Sequence, residues 1–400
     1  MWRRFGDLGF AALVAVVITV EAVPLVWLTW VVLGDLGHHE GLTWILLGGV
    51  ATAALGLVVV TAYLLAYQTV SDRRAAALAR ARGEWVARWL RVLAGREPEP
   101  AGPLGRDAVG ALLELREAVR GAEAERLLEL LRRYGVGDGL EGRVRGHRIA
   151  RRLQALEDLA RARAPEAMPT LLAAVIDPDR RVQVAAARAA ARTLADVEDP
   201  GTREELAEAF AASLVAAALP FGVIEEVLLL ADEAAPALVR AILAREDVPA
   251  PFVRAALDAV GRLGLLPFGD AAVARLSHPD PEVRAAALRA VARLHVLPEG
   301  AREAVRAALD DEVEFVRIHA TAAAALLPRE EALAALWARL GDPSWWVRRA
   351  AADALAGLGR AGLAELGHAA RAHPDRYARD MAAQALRDRT ERVVAEAVAR

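Results

Sequence analysis

Few residues in this chain combine a type and a spacing that could carry chemistry. Glu21 sits inside a long apolar run, three residues before Pro24. A carboxyl group there predicts a membrane-embedded polar contact or a proton-linked site, or a carboxyl bonded to the backbone that Pro24 frees. His38, His39 and Glu40 are ligand types, but adjacent residues in a short loop do not converge on one ion, so they read as a solvated loop. His368 and His373 lie five apart, off one face of a single helix. The serines are Ser71, Ser213, Ser277 and Ser344, and none lies in a nucleophile elbow of the Gly-x-Ser-x-Gly type. No HExxH and no acidic calcium loop occurs. No cysteine is present, which excludes disulfides, thiolate ligands and thiol nucleophiles. Every basic side chain other than histidine is arginine, and the absence of lysine excludes Schiff-base chemistry and a Walker A loop. The expectation is a protein without a catalytic set, metal or cofactor.

Arginines and tryptophans supply the remaining candidates. Trp345 and Trp346 are adjacent, and Arg348 and Arg349 follow. Two neighbouring tryptophans cannot both face one core, so at least one of this group is a candidate anchor for a partner. The alternative is that one packs the turn and the other covers a neighbouring helix pair. A net charge of -3 over 400 residues advertises no basic face for nucleic acid.

The elements that must position these residues fall into three stretches. Residues 1–68 contain two runs, Leu8–Leu33 and Leu42–Tyr67, each longer than the roughly 20 apolar residues that span a bilayer as a helix. Gly34–Gly41 forms the polar link, and the pattern predicts a transmembrane hairpin. Arg3 and Arg4 precede it and Arg73, Arg74, Arg80 and Arg82 follow, while the link holds Asp35 and Glu40 and no arginine, which places both termini on the cytoplasmic side. A cleaved leader ending near Ala22 is the competing reading, disfavoured because the apolar run continues past it. Residues 69–105 read as a basic juxtamembrane helix carrying Trp85 and Trp89, suited to lipid headgroups or to a core, followed by the Pro/Gly linker Gly95–Gly105. Residues 106–400 read as all helix, with no period-2 strand signal.

Within the third stretch one pattern returns. A turn such as His278-Pro-Asp-Pro or Asp342-Pro-Ser-Trp runs into Val-Arg and then alanines. The arginines fall at Arg254, Arg284, Arg317, Arg348 and Arg379, at intervals of 30, 33, 31 and 31. Gln183 and Arg152 hold the same place upstream, and a degraded copy fits Leu219–Ala231. Proline is tolerated where helix-opening amides lack partners, and Asp caps them. Each unit is then a leucine-faced helix, a turn and an alanine-rich helix, unable to bury its face alone. About seven such pairs are expected, with Asp388–Arg400 as a short charged cap.

This pattern resembles the HEAT-repeat family, above all short bacterial HEAT-like repeats, over Gly146–Asp388; Asp342–Leu355 nearly spells its core motif. The resemblance implies an α-solenoid in which the turn Asp and the Arg six residues later build a ladder between repeats. Asp342 with Arg348, and Asp311 with Arg317, occupy those places; Arg284 and Arg379 follow His278 and His373 instead, which interrupts it. It also implies a scaffold at the bacterial inner membrane, with a protein partner such as a membrane glycosyltransferase or export complex, and lipids met through the hairpin and basic helix. The alternatives are a HEAT-like enzyme of bilin-lyase or DNA-glycosylase type, or a membrane function of Glu21.

Overall fold

A computed structural model describes residues 79–398 except 246–247, together with scattered positions between 56 and 73, and side chains up to 391. The hairpin, Glu21 and the His38–Glu40 loop therefore lie outside the described residues. Among the described residues there is no strand, and no helix is long and apolar enough to cross a membrane. The chain divides into two compact units, Met1–Leu112 and Leu113–Arg400.

In the first unit, a helix over 79–93 is followed by irregular backbone to residue 105. Trp89 is fully buried, and its indole N–H donates to the Ala108 carbonyl at 3.0 Å. Of the two sequence readings for this tryptophan, core packing is the one realised: a buried ring with a satisfied N–H has nothing to offer a headgroup layer. Arg88 and Arg91 both pair with Glu97, which folds the start of the linker back on the helix.

The second unit follows from repetition. Its helices, starting with one that begins in the first unit, are α1 (Arg106–Ala118), α2 (Ala122–Arg133), α3 (Val136–Val144), α4 (Ile149–Ala162), α5 (Met168–Val175), α6 (Arg180–Ala195), α7 (Pro200–Ala217), α8 (Phe221–Leu230) and α9 (Ala235–Leu243). They continue as α10 (Ala250–Leu263), α11 (Gly269–Val273), α12 (Pro281–Leu294), α13 (Ala301–Ala308), α14 (Glu314–Ala324), α15 (Arg329–Arg339), α16 (Trp345–Gly357), α17 (Gly359–Ala372) and α18 (Arg376–Val398). From α3/α4 to α17/α18 these form eight pairs against the about seven expected, one for each of the eight register places in the sequence, the degraded copy included as α7/α8. The predicted terminal cap is not a separate helix: α18 runs unbroken from Arg376, since nothing between Ala385 and Glu391 breaks a helix.

The even-numbered helices from α4 to α18 pack in sequence, each against the next, and form one layer; α3, α5, α7 and α9 form the start of a second, which α15 and α17 continue. Alanine makes the first layer tight. Ala186, Ala287, Ala320, Ala351 and Ala382, each three residues after the recurrent Gln or Arg of its helix, are fully buried. Gly261 extends the device, for a Cβ there would lie 3.0 Å from the Ala290 Cα. Between the layers sit Leu156, Leu194, Leu257, Leu288 and Leu355, each fully buried and each contributing about 1.5–3 kcal/mol. The caps are those the turns predict. Asp179, Asp199 and Asp280 accept the Arg181, Thr202 and Glu282 amides, and Ser344 accepts those of Trp346 and Val347.

Candidate functional site

The turns of the second unit show what the recurrent arginines do. Each arginine first closes its own turn. The Nη1–H of Arg284, Arg317, Arg348 and Arg379 donates to the carbonyl six residues back, at 2.9, 2.8, 2.7 and 2.7 Å. The rest of the guanidinium reaches the following pair. Arg284 grips Asp311 through Nε (2.7 Å) and Nη2 (2.9 Å), and Arg317 grips Asp342 the same way (3.0 and 3.2 Å). Arg152 holds Asp177 upstream. The ladder partner is therefore the aspartate of the next repeat. Asp342 and Arg348, six apart, do not join through the carboxylate; Arg348 takes the Asp342 main-chain oxygen, and its carboxylate belongs to Arg317. Burial works to raise the Asp311 carboxyl, but bonds from Arg284 and the Val313 amide outweigh it and leave it below the usual carboxylate value.

Two rungs lack a carboxylate, and both face a histidine. His278 and His373 reproduce the local half of the aspartate's task, their Nδ1 accepting the Asp280 and Asp375 amides at 3.0 and 3.1 Å. An accepting Nδ1 puts the proton on Nε2, so the imidazole offers no second acceptor to the preceding arginine. Among the recurrent arginines, Arg254 and Arg348, those before these turns, are the ones whose Nε is buried without a partner among the described residues. Arg254 turns instead to Glu282 (3.1 Å) and to the Phe221 ring at 4.0 Å. Arg348 lies 5.5 Å from the Tyr377 ring and, among the described residues, makes no ion pair, though its charge acts on Asp375.

Around Arg348 the surface is aromatic. Trp345 and Trp346 are 45% and 61% exposed and meet edge to face at 4.8 Å; Tyr377 is 63% exposed. These are the only exposed aromatics of the second unit among the described residues. Neither tryptophan is consumed by packing. Arg349 is placed differently from Arg348: bonds to Asp353 (3.0 Å) and Asp388 (2.9 Å) raise its already high pKa and tie α16 to α18. It supports the edge as an anchored strut. Arg379 serves its own turn, through the His373 and Pro374 carbonyls.

Sequence spacing missed three clusters. Trp337 lies between the His368 and His373 rings, at 4.7 and 5.1 Å, although the histidines sit on α17 and on the turn after it. Arg116, almost wholly buried, shares Asp196 with Arg163, at 2.7 and 3.0 Å, beside a cleft of about 400 Å³ whose arginines and acids nearly cancel. His319 stands by Arg289 and Arg293; burial first, then those charges, pushes its pKa down to about 4. Only the basic residue near each helix end hinted at the second cluster. Among the described residues no nucleophile–base pair is formed. Ser344 caps α16 and Ser213 bonds the Ala209 carbonyl. Among the described residues no group of three His, Asp or Glu could hold a metal.

The family model for HEAT repeats matches residues 269–356, from α11 through most of α16. Among solved structures, the chain is similar to a designed armadillo repeat protein at 19% identity, over 55% of this chain and 99% of that one, with a TM-score of 0.29. A second designed armadillo repeat protein, in complex with the peptide (KR)4, matches at 18% identity over 63% and 99%, with a TM-score of 0.25. The X-ray structure of Escherichia coli YibA matches at 15% identity over 72% and 99%, with a TM-score of 0.34. No curated protein matches.

Proposed function

We propose that this all-α repeat protein is a non-catalytic scaffold that binds a partner protein along the Trp345–Trp346–Tyr377 edge. The observation behind it is the contrast between that edge and the rest of the array. Elsewhere aromatic side chains of the second unit are at least partly covered and most arginines are paired; here three aromatics stand in solvent around an arginine without a carboxylate. Tryptophan, tyrosine and arginine are the residue types that dominate binding hot spots. The two apolar runs between Leu8 and Tyr67 serve, in this reading, as a tether in a bacterial inner membrane, with the array in the cytoplasm. A membrane glycosyltransferase or export complex would be met by hairpin and array together, and the basic helix after the hairpin would add lipid contact.

Affinity purification of the full-length protein from native membranes in mild detergent, beside a Trp346→Ala variant, tests this. A stoichiometric protein lost in the variant supports the scaffold. A partner retained equally by both moves the binding surface elsewhere, and none in either removes the reading.

A further inference from the structure

The exposed edge has a repeat of its own. Trp346 and Tyr377 occupy the same register position, two residues before Arg348 and Arg379, and Phe315, half-buried before Arg317, precedes them; the intervals are 31 and 31. Consecutive packed helices lie about 8–10 Å apart, so α14, α16 and α18 present one aromatic side chain per helix spacing. A polyproline II chain rises about 3.1 Å per residue and repeats its face every third residue, roughly 9 Å. The two spacings match. Prolines at positions i and i+3 of such a chain would meet Trp346 and Tyr377 in turn, and its pre-set backbone makes docking on flat aromatic rings inexpensive in entropy.

Charge decides what lies between the prolines. At the rungs of Arg152, Arg284 and Arg317 the next repeat supplies a carboxylate. At Arg348 it supplies His373, so the guanidinium, 5.5 Å from the Tyr377 ring, carries no ion-pair partner among the described residues. Asp375, nearby, is used as a cap: the Ala378 amide at 2.9 Å, before Arg348's charge, holds its carboxyl below the ordinary value. Arg376 adds an outward cation, 79% exposed and 3.8 Å from Asp380.

Resting on the scaffold reading, we infer that the occupant of this edge is an extended, proline-rich segment of the partner, with prolines every third residue and an acidic residue between them. Prolines cover Trp346 and Tyr377, and the acid takes the place of the missing rung carboxylate beside Arg348.

The test is calorimetry on the full-length protein in detergent with a peptide of four tandem Pro-Pro-Glu units. Two controls keep length and change one property, Gly-Gly-Glu units for stiffness and Pro-Pro-Arg units for charge. The expected result is saturable binding of the first peptide alone, weakened about tenfold by Trp346→Ala or Tyr377→Ala, nearly kept by Trp346→Phe, and weakened by Arg348→Gln. Equal binding of the glycine peptide, or binding indifferent to Trp346→Ala, overturns the inference. No peptide binding, with brominated-lipid quenching in phosphatidylglycerol nanodiscs that falls in Trp346→Ala, assigns the edge to a bilayer and also overturns it. A protein captured through Trp346 while no proline peptide binds would leave the scaffold standing and remove only this class of occupant.

Discussion

Replacing Asp342 by alanine interrogates the rung directly. The carboxylate is almost completely buried, with 1% of the side chain exposed. It accepts Arg317 Nε and Nη2 at 3.0 and 3.2 Å and the Ser344 amide at 2.8 Å, and Arg339 stands at 3.8 Å. Asp342→Ala removes all of these and leaves the Arg317 guanidinium, 13% exposed, without a counter-charge. Breaking a buried pair from one side costs about 3–5 kcal/mol. Arg317 keeps its bonds to the Asp311 and Glu312 carbonyls, which puts the expected loss near the lower bound, ~3 kcal/mol. Repeat arrays open locally, so hydrogen exchange in α14 and α16 is a better readout than one global melt. That loss corresponds to roughly a hundredfold faster exchange through local opening. The double variant Asp342→Ala, Arg317→Ala should recover about 1.5–3 kcal/mol of it, since the stranded charge is gone. Arg348→Ala, at a rung with no carboxylate, should cost about 1 kcal/mol or less. If Asp342→Ala accelerates exchange less than tenfold, or Arg348→Ala matches it, the ladder is not what aligns the repeats.

Other consequences follow from the same geometry. His373→Asp supplies both the turn acceptor and the missing carboxylate for Arg348 and should slow exchange in α16 by about 1 kcal/mol of added stability; a net loss would mean that the Trp337 ring contact outweighs the rung. His319 has its pKa lowered to about 4 from an ordinary 6.5, so the unfolded chain binds the extra proton between those values, and stability should fall as pH drops from 6.5 to 4. His319→Gln should flatten that part of the pH profile, measured by urea unfolding; an unchanged slope would assign it to other groups. Lowered carboxylates such as Asp311 and Asp375 act at lower pH, where protonation removes their bonds. Gly362→Ala should destabilise by more than about 1–3 kcal/mol, because its Cβ would overlap the Leu355 carbonyl oxygen, whereas Gly367→Ala meets only the end of Arg371 and should be neutral or slightly stabilising by thermal shift.

By itself the sequence determined the helix pairs, their turns and their caps. These are local matters: proline and aspartate at a helix start, alanine at close approaches and leucine every third or fourth residue are set by backbone sterics and by unpaired terminal amides. It also pointed to Trp345, Trp346 and Arg348, because two adjacent tryptophans cannot share one core. Which carboxylate each arginine meets was decided only by the tertiary stack. Residues 342 and 348 are neighbours in sequence, yet the Asp342 carboxylate answers to Arg317, one repeat earlier, since each turn packs against the next and not against itself. The same stacking strands Arg348 opposite His373, brings His368 and His373 to either side of Trp337, and leaves Tyr377 level with Trp346. A periodic sequence states what every repeat has in common; the fold reveals the two repeats, those of Arg254 and Arg348, whose neighbours fail to complete them, because a missing partner is a property of two repeats in contact.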